Sequence, residues 1–454
     1  MFIDTHAHLF YPDYNGELDS ILENAANANV DYILIPGTDL ASSAKASQLA
    51  EKYPQIYASV GVHPHDSAEW DKKYLTDLEY LIQNNKKVCA VGEIGLDYYY
   101  DFSPKEKQHQ AFRDQIEFAL KHDLPVIVHN RDADEDVLRI VSEYCASGLR
   151  AQFHCFSSSV QMARELVKMG QFISFTGNIT FKKMQELREV ASMVPVEHLL
   201  LETDSPFMTP EPKRGKRNEP SNVRLVAEKL AELHHLTVDD IARVTSYNAF
   251  QLFGIGAPPE VRVTYKIGRS LYINVTNRCN ADCTFCQRKD SPFIVGYNLK
   301  MAKKDEPTPE EYIRQIGDPK QYSEIVFCGY GEPTIRWDVV KQVAEYVKAH
   351  GGKTRMNTNG HGNVINMRDI TPEMEGVIDT VSVSLNSPYP SQYAEIMRLD
   401  ESYFHAMVEF TRKAKAFVPT VVLSIVTLDE VEREAAREFA EEEVGVLFRE
   451  RIYF

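Results

Sequence analysis

The strongest constraint on this fold is a rhythm. Eight short apolar runs recur through the first half of the chain, at 2–9, 30–36, 56–63, 88–97, 125–130, 151–156, 172–177 and 199–204. Segments of helical period lie between them, such as 17–28, 105–121 and 161–169. Continuous apolar strands alternating with helices specify a parallel sheet, because the crossover helices cover its faces. Eight such units predict a (β/α)8 barrel. A shorter rhythm follows, with strand-like runs at 271–275, 324–328, 354–357, 380–385, 421–426 and 446–449. Helix-like runs at 337–350, 403–417 and 430–443 accompany them, and six units predict an open, partial α/β barrel.

At 454 residues the chain is too long for one ordinary domain. Glycine and proline crowd together at Gly254, Gly256, Pro258 and Pro259, where the helical pattern stops. We therefore expect a first domain over 1–256, a linker over 257–261 and a second domain over 262–454. The halves share no motif, so they read as a fusion and not a repeat. No apolar run reaches about 18 residues, which argues against a membrane span. The start Met1-Phe2-Ile3-Asp4-Thr5-His6 is strand-like and polar, unlike a signal sequence. Seven cysteines, three of them clustered, fit a reducing cytoplasm better than a disulfide framework. A formal charge of -16 argues against a general nucleic-acid coat protein. It is compatible with a nuclease, whose carboxylates bind metal and whose metals meet the phosphate.

Polar residues fall where a barrel places its chemistry. His6 and His8 lie in the first run, His63 ends the third, Glu93 the fourth, His129 the fifth, His154 the sixth and Asp204 the eighth. Carboxyl ends of barrel strands carry the active site. One histidine there would be an ordinary core residue; six or seven His and carboxylates on one face are a metal site. His-x-His puts both rings on one side of a strand. A carboxylate can bridge two cations about 3.5–4 Å apart, and such cations bring bound water towards a pKa of about 7.

These pieces resemble the TatD-type metal-dependent deoxyribonucleases, a group of amidohydrolase-like barrels. The resemblance covers residues 1 to about 256. It rests on Asp4-Thr5-His6-Ala7-His8, Gly61-Val62-His63-Pro64-His65, Gly92-Glu93-Ile94-Gly95-Leu96-Asp97-Tyr98, Val128-His129, His154-Cys155-Phe156 and Leu201-Glu202-Thr203-Asp204-Ser205-Pro206. It implies two divalent ions, Mg, Mn or Zn. His6, His8, Glu93 and Asp204 would hold one; Glu93, His129 and His154 would hold the other, with Glu93 bridging. Asp204 would also orient or deprotonate the attacking water, and His63 would touch the scissile phosphate. Glu202 would support the site from behind, with His65 and Asp97 as further supporting positions. The implied substrate is DNA, cut from single-stranded ends. The basic stretch Lys213, Arg214, Lys216 and Arg217 follows the eighth run and is either a phosphate contact or a solvated charge run.

The second half opens on Cys279-Asn280-Ala281-Asp282-Cys283-Thr284-Phe285-Cys286, directly after a strand-like run. Three thiols at C-x3-C-x2-C can hold three irons of a cubane and leave the fourth open. Structural zinc calls for four Cys or His ligands in paired clusters, and no fourth follows here. The loop, with Phe285 before its last cysteine, resembles the cluster motif of the radical S-adenosylmethionine (SAM) enzymes. That family implies a 4Fe-4S cluster, SAM on its open iron, and an electron donor such as flavodoxin or ferredoxin. Gly329, Tyr330, Gly331 and Glu332 resemble the family's Gly-Gly-Glu stretch, with Tyr330 in place of the first glycine of the pair. Asn359, Ser384 and Asn386 sit where the family contacts methionine carboxylate or ribose. The substrate of the radical is left open. Two rival readings remain: a barrel that cuts a non-nucleic-acid ester or amide, and a cluster that serves as a redox sensor for the hydrolase.

Overall fold

The computed structural model describes residues 1–286, 288 and 291–451. It divides into two compact units, Met1–Pro259 and Glu260 onward.

In the first unit eight strands form one sheet in sequence order, every neighbouring pair parallel. They are β1 (Phe2–Asp4), β2 (Val30–Pro36), β3 (Ile56–Val60), β4 (Val88–Asp97), β5 (Val126–Arg131), β6 (Ala151–Phe153), β7 (Phe172–Phe175) and β8 (Leu199–Leu201). Closure comes from the loops that follow β1 and β8. Thr5 N donates to Leu201 O, Asp204 N to His6 O and His8 N to Ser205 O, and Ala7 bridges Ser205. The predicted barrel is therefore present, with β1, β3, β6, β7 and β8 shorter than their apolar runs. His6 and His8 lie beyond the end of β1 and not within it; His63, His154 and Asp204 likewise follow their strands. Glu93 lies in mid-strand, where the sequence reading had put it at the strand end.

Two apolar layers result from the alternation of strand side chains. Ile33 and Ile35 join the core shared with the surrounding helices. Leu34 joins Ile3, Ala90, Ile127 and Leu200 inside the barrel, packed on Leu252, Phe253 and Ile255 at the end of the helix Val238–Phe253. That helix starts on a reciprocal cap between Thr237 and Asp240 and stops at Gly254, whose φ of 70° suits glycine.

In the second unit a seven-stranded sheet runs β17-β16-β15-β14-β13-β10-β9. Its members are β9 (Thr264–Ile267), β10 (Ser270–Asn274), β13 (Ile325–Cys328), β14 (Thr354–Thr358), β15 (Thr380–Ser384), β16 (Thr420–Val426) and β17 (Leu447–Arg451). A separate two-stranded ribbon pairs β11 (Phe293–Ile294) with β12 (Tyr297–Asn298). The six predicted strands are parallel and in sequence order. The sequence reading missed β9, an antiparallel edge strand hairpinned onto β10. Leu271, Ile273, Phe327, Met356, Val381, Val383, Leu423 and Ile425 form the helix-covered face. Among the described residues, no helix is long and apolar enough to cross a membrane.

Candidate functional site

The barrel site is assembled by two local devices. The first is the zipper between the loops after β1 and β8, which brings Asp204 to His6 and His8. Buried Asp4 locks it: its carboxylate accepts from Thr203 N at 3.0 Å, Thr203 Oγ1 at 2.6 Å and His6 N at 3.2 Å. The second is a bulge in β4. Val91 pairs with Val126 but Ile94 with Val128, so Gly92-Glu93 carries one extra residue. A bulge re-aims a side chain, and here it turns Glu93 towards the histidines. Gly92 is required because a Cβ there would meet Ile127 Cβ at 2.6 Å.

Glu93 is buried, and its two oxygens face two different groups. Oε2 lies 3.3 Å from His6 Nε2 and 3.8 Å from His8 Nε2. Asp204 Oδ1 completes that group, 3.4 Å from His8 Nε2 and 3.9 Å from His6 Nε2. Oε1 lies 2.8 Å from His154 Nε2, 3.0 Å from His129 Nδ1 and 3.3 Å from His63 Nε2. Donor atoms at these separations can surround a cation whose bonds are about 2.1 Å long. His6, His8 and Glu93 could hold one ion, and His63, Glu93 and His129 another. The structure thus gathers all six predicted metal-site residues and places His63 in the second group as well.

Two carboxylates stand behind these donors. Asp97 Oδ2 lies 3.0 Å from His129 Nε2 and 2.8 Å from His65 Nε2, so it fixes the ring of His129 from the side opposite Glu93. Burial lowers the pKa of His129, but Asp97 and Glu93 outweigh it and lift the ring to about 9. Glu202 is buried and accepts from Cys155 N at 2.5 Å, Gln152 Nε2 at 2.9 Å and Ser174 Oγ at 2.8 Å. Burial, with the Asp204 charge, pushes its carboxyl well above the usual range. Asp204 behaves oppositely: burial opposes ionisation, but His8 and His6 hold its pKa down.

The basic loop is partly committed. Arg217 pairs with Glu17 at 2.5 Å and with Asp13 O, and Lys213 donates to Asn222 Oδ1 at 2.7 Å. Arg214 lies 4.1 Å from the Phe181 ring centre, and Lys216 is exposed. The sequence reading missed Tyr11, stacked on His8 at 5.1 Å, and the exposed aromatics beside His65. The tyrosine run 98–100, directly after the acidic end of β4, was the available signal.

In the second unit, Cys279, Cys283 and Cys286 occupy the loop after β10, at the carboxyl end of the sheet. They are partly exposed. Cys328 is turned away, 3.5 Å from Tyr265 OH in a separate apolar cluster, and His361 is taken by Tyr393 OH and Asn280 Nδ2. Three thiols are thus offered without Cys328 or His361 as a fourth donor, and that set fits a cubane with one open iron. Glu332 is buried, and its carboxylate accepts from Thr334 N, Thr334 Oγ1, Thr358 Oγ1 and Asn359 N at 2.7–3.0 Å. Its side chain therefore ties two loops together, whereas the resemblance gives the cofactor the backbone oxygens of this stretch. The left-handed position in this stretch falls on Gly329, at φ 151°, and not on Tyr330. Gly331 passes so close to the cysteine loop that a Cβ would meet Arg278 O at 2.1 Å. Asn359 Nδ2 lies 3.9 Å from Cys279 Sγ and donates to Asn280 Oδ1 at 2.8 Å. Asn386 Nδ2 lies 3.1 Å from Met397 Sδ, which is 3.4 Å from Cys283 Sγ. Phe285 packs against the helix-side core, and Ser384 accepts from Arg451 at 3.0 Å.

Comparison with known proteins finds a family match in each unit. The family model described as TatD related DNase matches residues 3–254, and that of the Radical SAM superfamily matches residues 273–442. An uncharacterized metal-dependent hydrolase of Bacillus subtilis, YabD, is 44% identical over 255 residues, spanning 56% of this chain and 100% of its own length. A Salmonella typhimurium protein named as a 3'-5' ssDNA/RNA exonuclease, TatD, is 33% identical, spanning 56% and 98%. The crystal structure of the Escherichia coli TatD homologue YjjV superposes with a TM-score of 0.54 at 34% identity, covering 56% of this chain and 98% of that one. The chain therefore belongs to the TatD related DNase family through its metal-dependent hydrolase domain, and it carries a radical SAM domain later in the sequence.

Proposed function

We propose that the first domain hydrolyses phosphodiester bonds of DNA from single-stranded ends. The observation that carries this reading is the split of Glu93, one carboxylate oxygen towards each histidine group. His6, His8 and Asp204 would hold one divalent ion, His129 and His154 the other, and Glu93 both. Ions bound there supply a nucleophilic water near neutrality and positive charge for the phosphate. The chain's own residues do the rest. Asp204, kept ionised by His8 and His6, takes the proton of the attacking water. His63 faces the phosphate from the second group, and Asp97 keeps His129 oriented through its far nitrogen. Arg214 and Lys216 are the cations of the basic loop left to meet a strand. The name of the Salmonella relative supports nucleic acid as the substrate.

Glu93→Gln keeps the shape and removes the charge shared by both groups. We expect it to lower metal-dependent cleavage of a single-stranded oligonucleotide by more than the ~100-fold typical of a supporting residue. Undiminished cleavage would refute the assignment. A wild-type enzyme that cuts carboxylic esters or amides but no oligonucleotide would replace the substrate.

For the second domain we infer a 4Fe-4S cluster on Cys279, Cys283 and Cys286, with SAM at the open iron. A cluster held by these thiols would supply the one-electron reduction that cleaves bound SAM. Gly331 and Glu332 keep the neighbouring loop pressed on the cysteine loop, and Asn359 holds Asn280 beside Cys279. The electron would come from a small donor such as flavodoxin or ferredoxin, in the reducing cytoplasm. Anaerobic reconstitution with SAM and dithionite should yield 5′-deoxyadenosine by mass spectrometry, absent in Cys283→Ala. A full cluster without that product would favour a sensor.

A further inference from the structure

Large aromatic side chains usually bury their rings. Around His65, at one edge of the barrel site, three do not: Tyr99, Tyr100 and Phe102 are 58%, 40% and 62% exposed. They form one continuous surface. Tyr100 and Phe102 stack at 5.1 Å with their planes 15° apart, and Tyr99 meets Tyr100 edge-on at 4.8 Å. The guanidinium of Arg131 lies 3.9 Å from the centre of Tyr99 and 4.9 Å from that of Tyr100. The surface reaches the metal-site side chains through His65, 4.9 Å from Phe102 and 5.4 Å from Tyr100.

The same carboxylate fixes both parts. Asp97 Oδ2 serves His65 and His129, while its Oδ1 accepts from Tyr99 N and Tyr100 N, each at 3.0 Å. Ser103 Oγ donates to His65 O at 2.7 Å and pins the far end of the loop. The exposed rings are thus held in register with the hydrolytic centre. Flat π-faces beside a cation and next to a phosphate-cutting centre are what an unpaired base and its backbone require.

We propose that Tyr99, Tyr100 and Phe102 form a stacking platform for unpaired nucleobases next to the scissile phosphate, with Arg131 facing the adjoining backbone. The proposal rests on the nuclease reading. It goes beyond that reading by assigning the preference for single strands to these rings, because a duplex keeps its base faces covered.

The test compares an oligothymidylate with an abasic strand of equal length, using the full chain loaded with Mn or Mg. The wild type should favour the base-bearing strand about ten-fold in kcat/KM for each base stacked, chiefly through KM. Tyr100→Ala with Phe102→Ala should bring that ratio close to one, and Tyr100→Phe with Phe102→Tyr should retain it. A ratio that survives the alanine pair, or a wild type that cuts both strands equally, overturns the platform alone. A wild type that cuts neither strand overturns the nuclease reading and the platform with it.

Discussion

At the scale of single residues, Asp97 carries more than its place behind the donors suggests. Its two oxygens divide between the imidazoles of His65 and His129 and the turn that carries Tyr99 and Tyr100. A neutral amide in its place cannot accept from both rings at full strength. Asp97→Asn should therefore weaken divalent metal binding about 10–100-fold, measured by calorimetric titration, with little change in the circular dichroism spectrum. Unchanged affinity would mean that His129 is oriented by something else. His63, His129, His154 and Asp204 were legible in the sequence because each lies towards the carboxyl end of an apolar run. Asp4 and Tyr11 were not. Asp4 reads as an ordinary strand residue until Thr203, nearly two hundred residues away, donates to it.

At the scale of elements, β4 shows how a strand's irregularity creates the site. In a regular strand Glu93 and Gly95 would face one way and Gly92 and Ile94 the other. The extra residue at Gly92-Glu93 breaks that alternation, and Gly92 makes room by lying against Ile127. Gly92→Ala should cost about 1–3 kcal/mol of stability, by analogy with overpacked cores, and should weaken metal binding as Glu93 is displaced. Thermal melting with and without metal would show both effects; a full-strength metal-induced rise in Tm would show that the bulge does not aim Glu93. Apolar runs predicted where strands begin, because burial drives both. In β1, β3, β6, β7 and β8 they overran the carboxyl ends, since the loops there are buried by the site itself. The short β9 went unread because its sequence, Thr264-Tyr265-Lys266-Ile267, lies next to a proline-rich boundary and pairs only through its hairpin with β10.

At the scale of the molecule, each principal core belongs to one unit. The barrel's two layers draw on residues 2–255, and the helix-covered face of the second sheet on residues 271–444. We expect two calorimetric transitions, with metal chelation lowering one of them and leaving the other in place. A single transition that chelation shifts as a whole would show the units to be energetically coupled.

The sequence alone determined the number and order of the βα units, the division into two domains, and which histidines, carboxylates and thiols are the candidates for the chemistry. Each of these follows from local patterns: the period of burial, chain-breaking residues, and ligand spacing within a short loop. Tertiary structure alone decided how the donors are shared. Glu93 serves both groups because a bulge re-aims it. Asp204 meets His6 because the loops after the first and last strands of the sheet zip together. The Glu332 carboxylate braces two loops, since Thr358 Oγ1 and Asn359 N reach it from the next strand's end. Such pairings depend on distances between residues far apart in the chain, which no local pattern encodes.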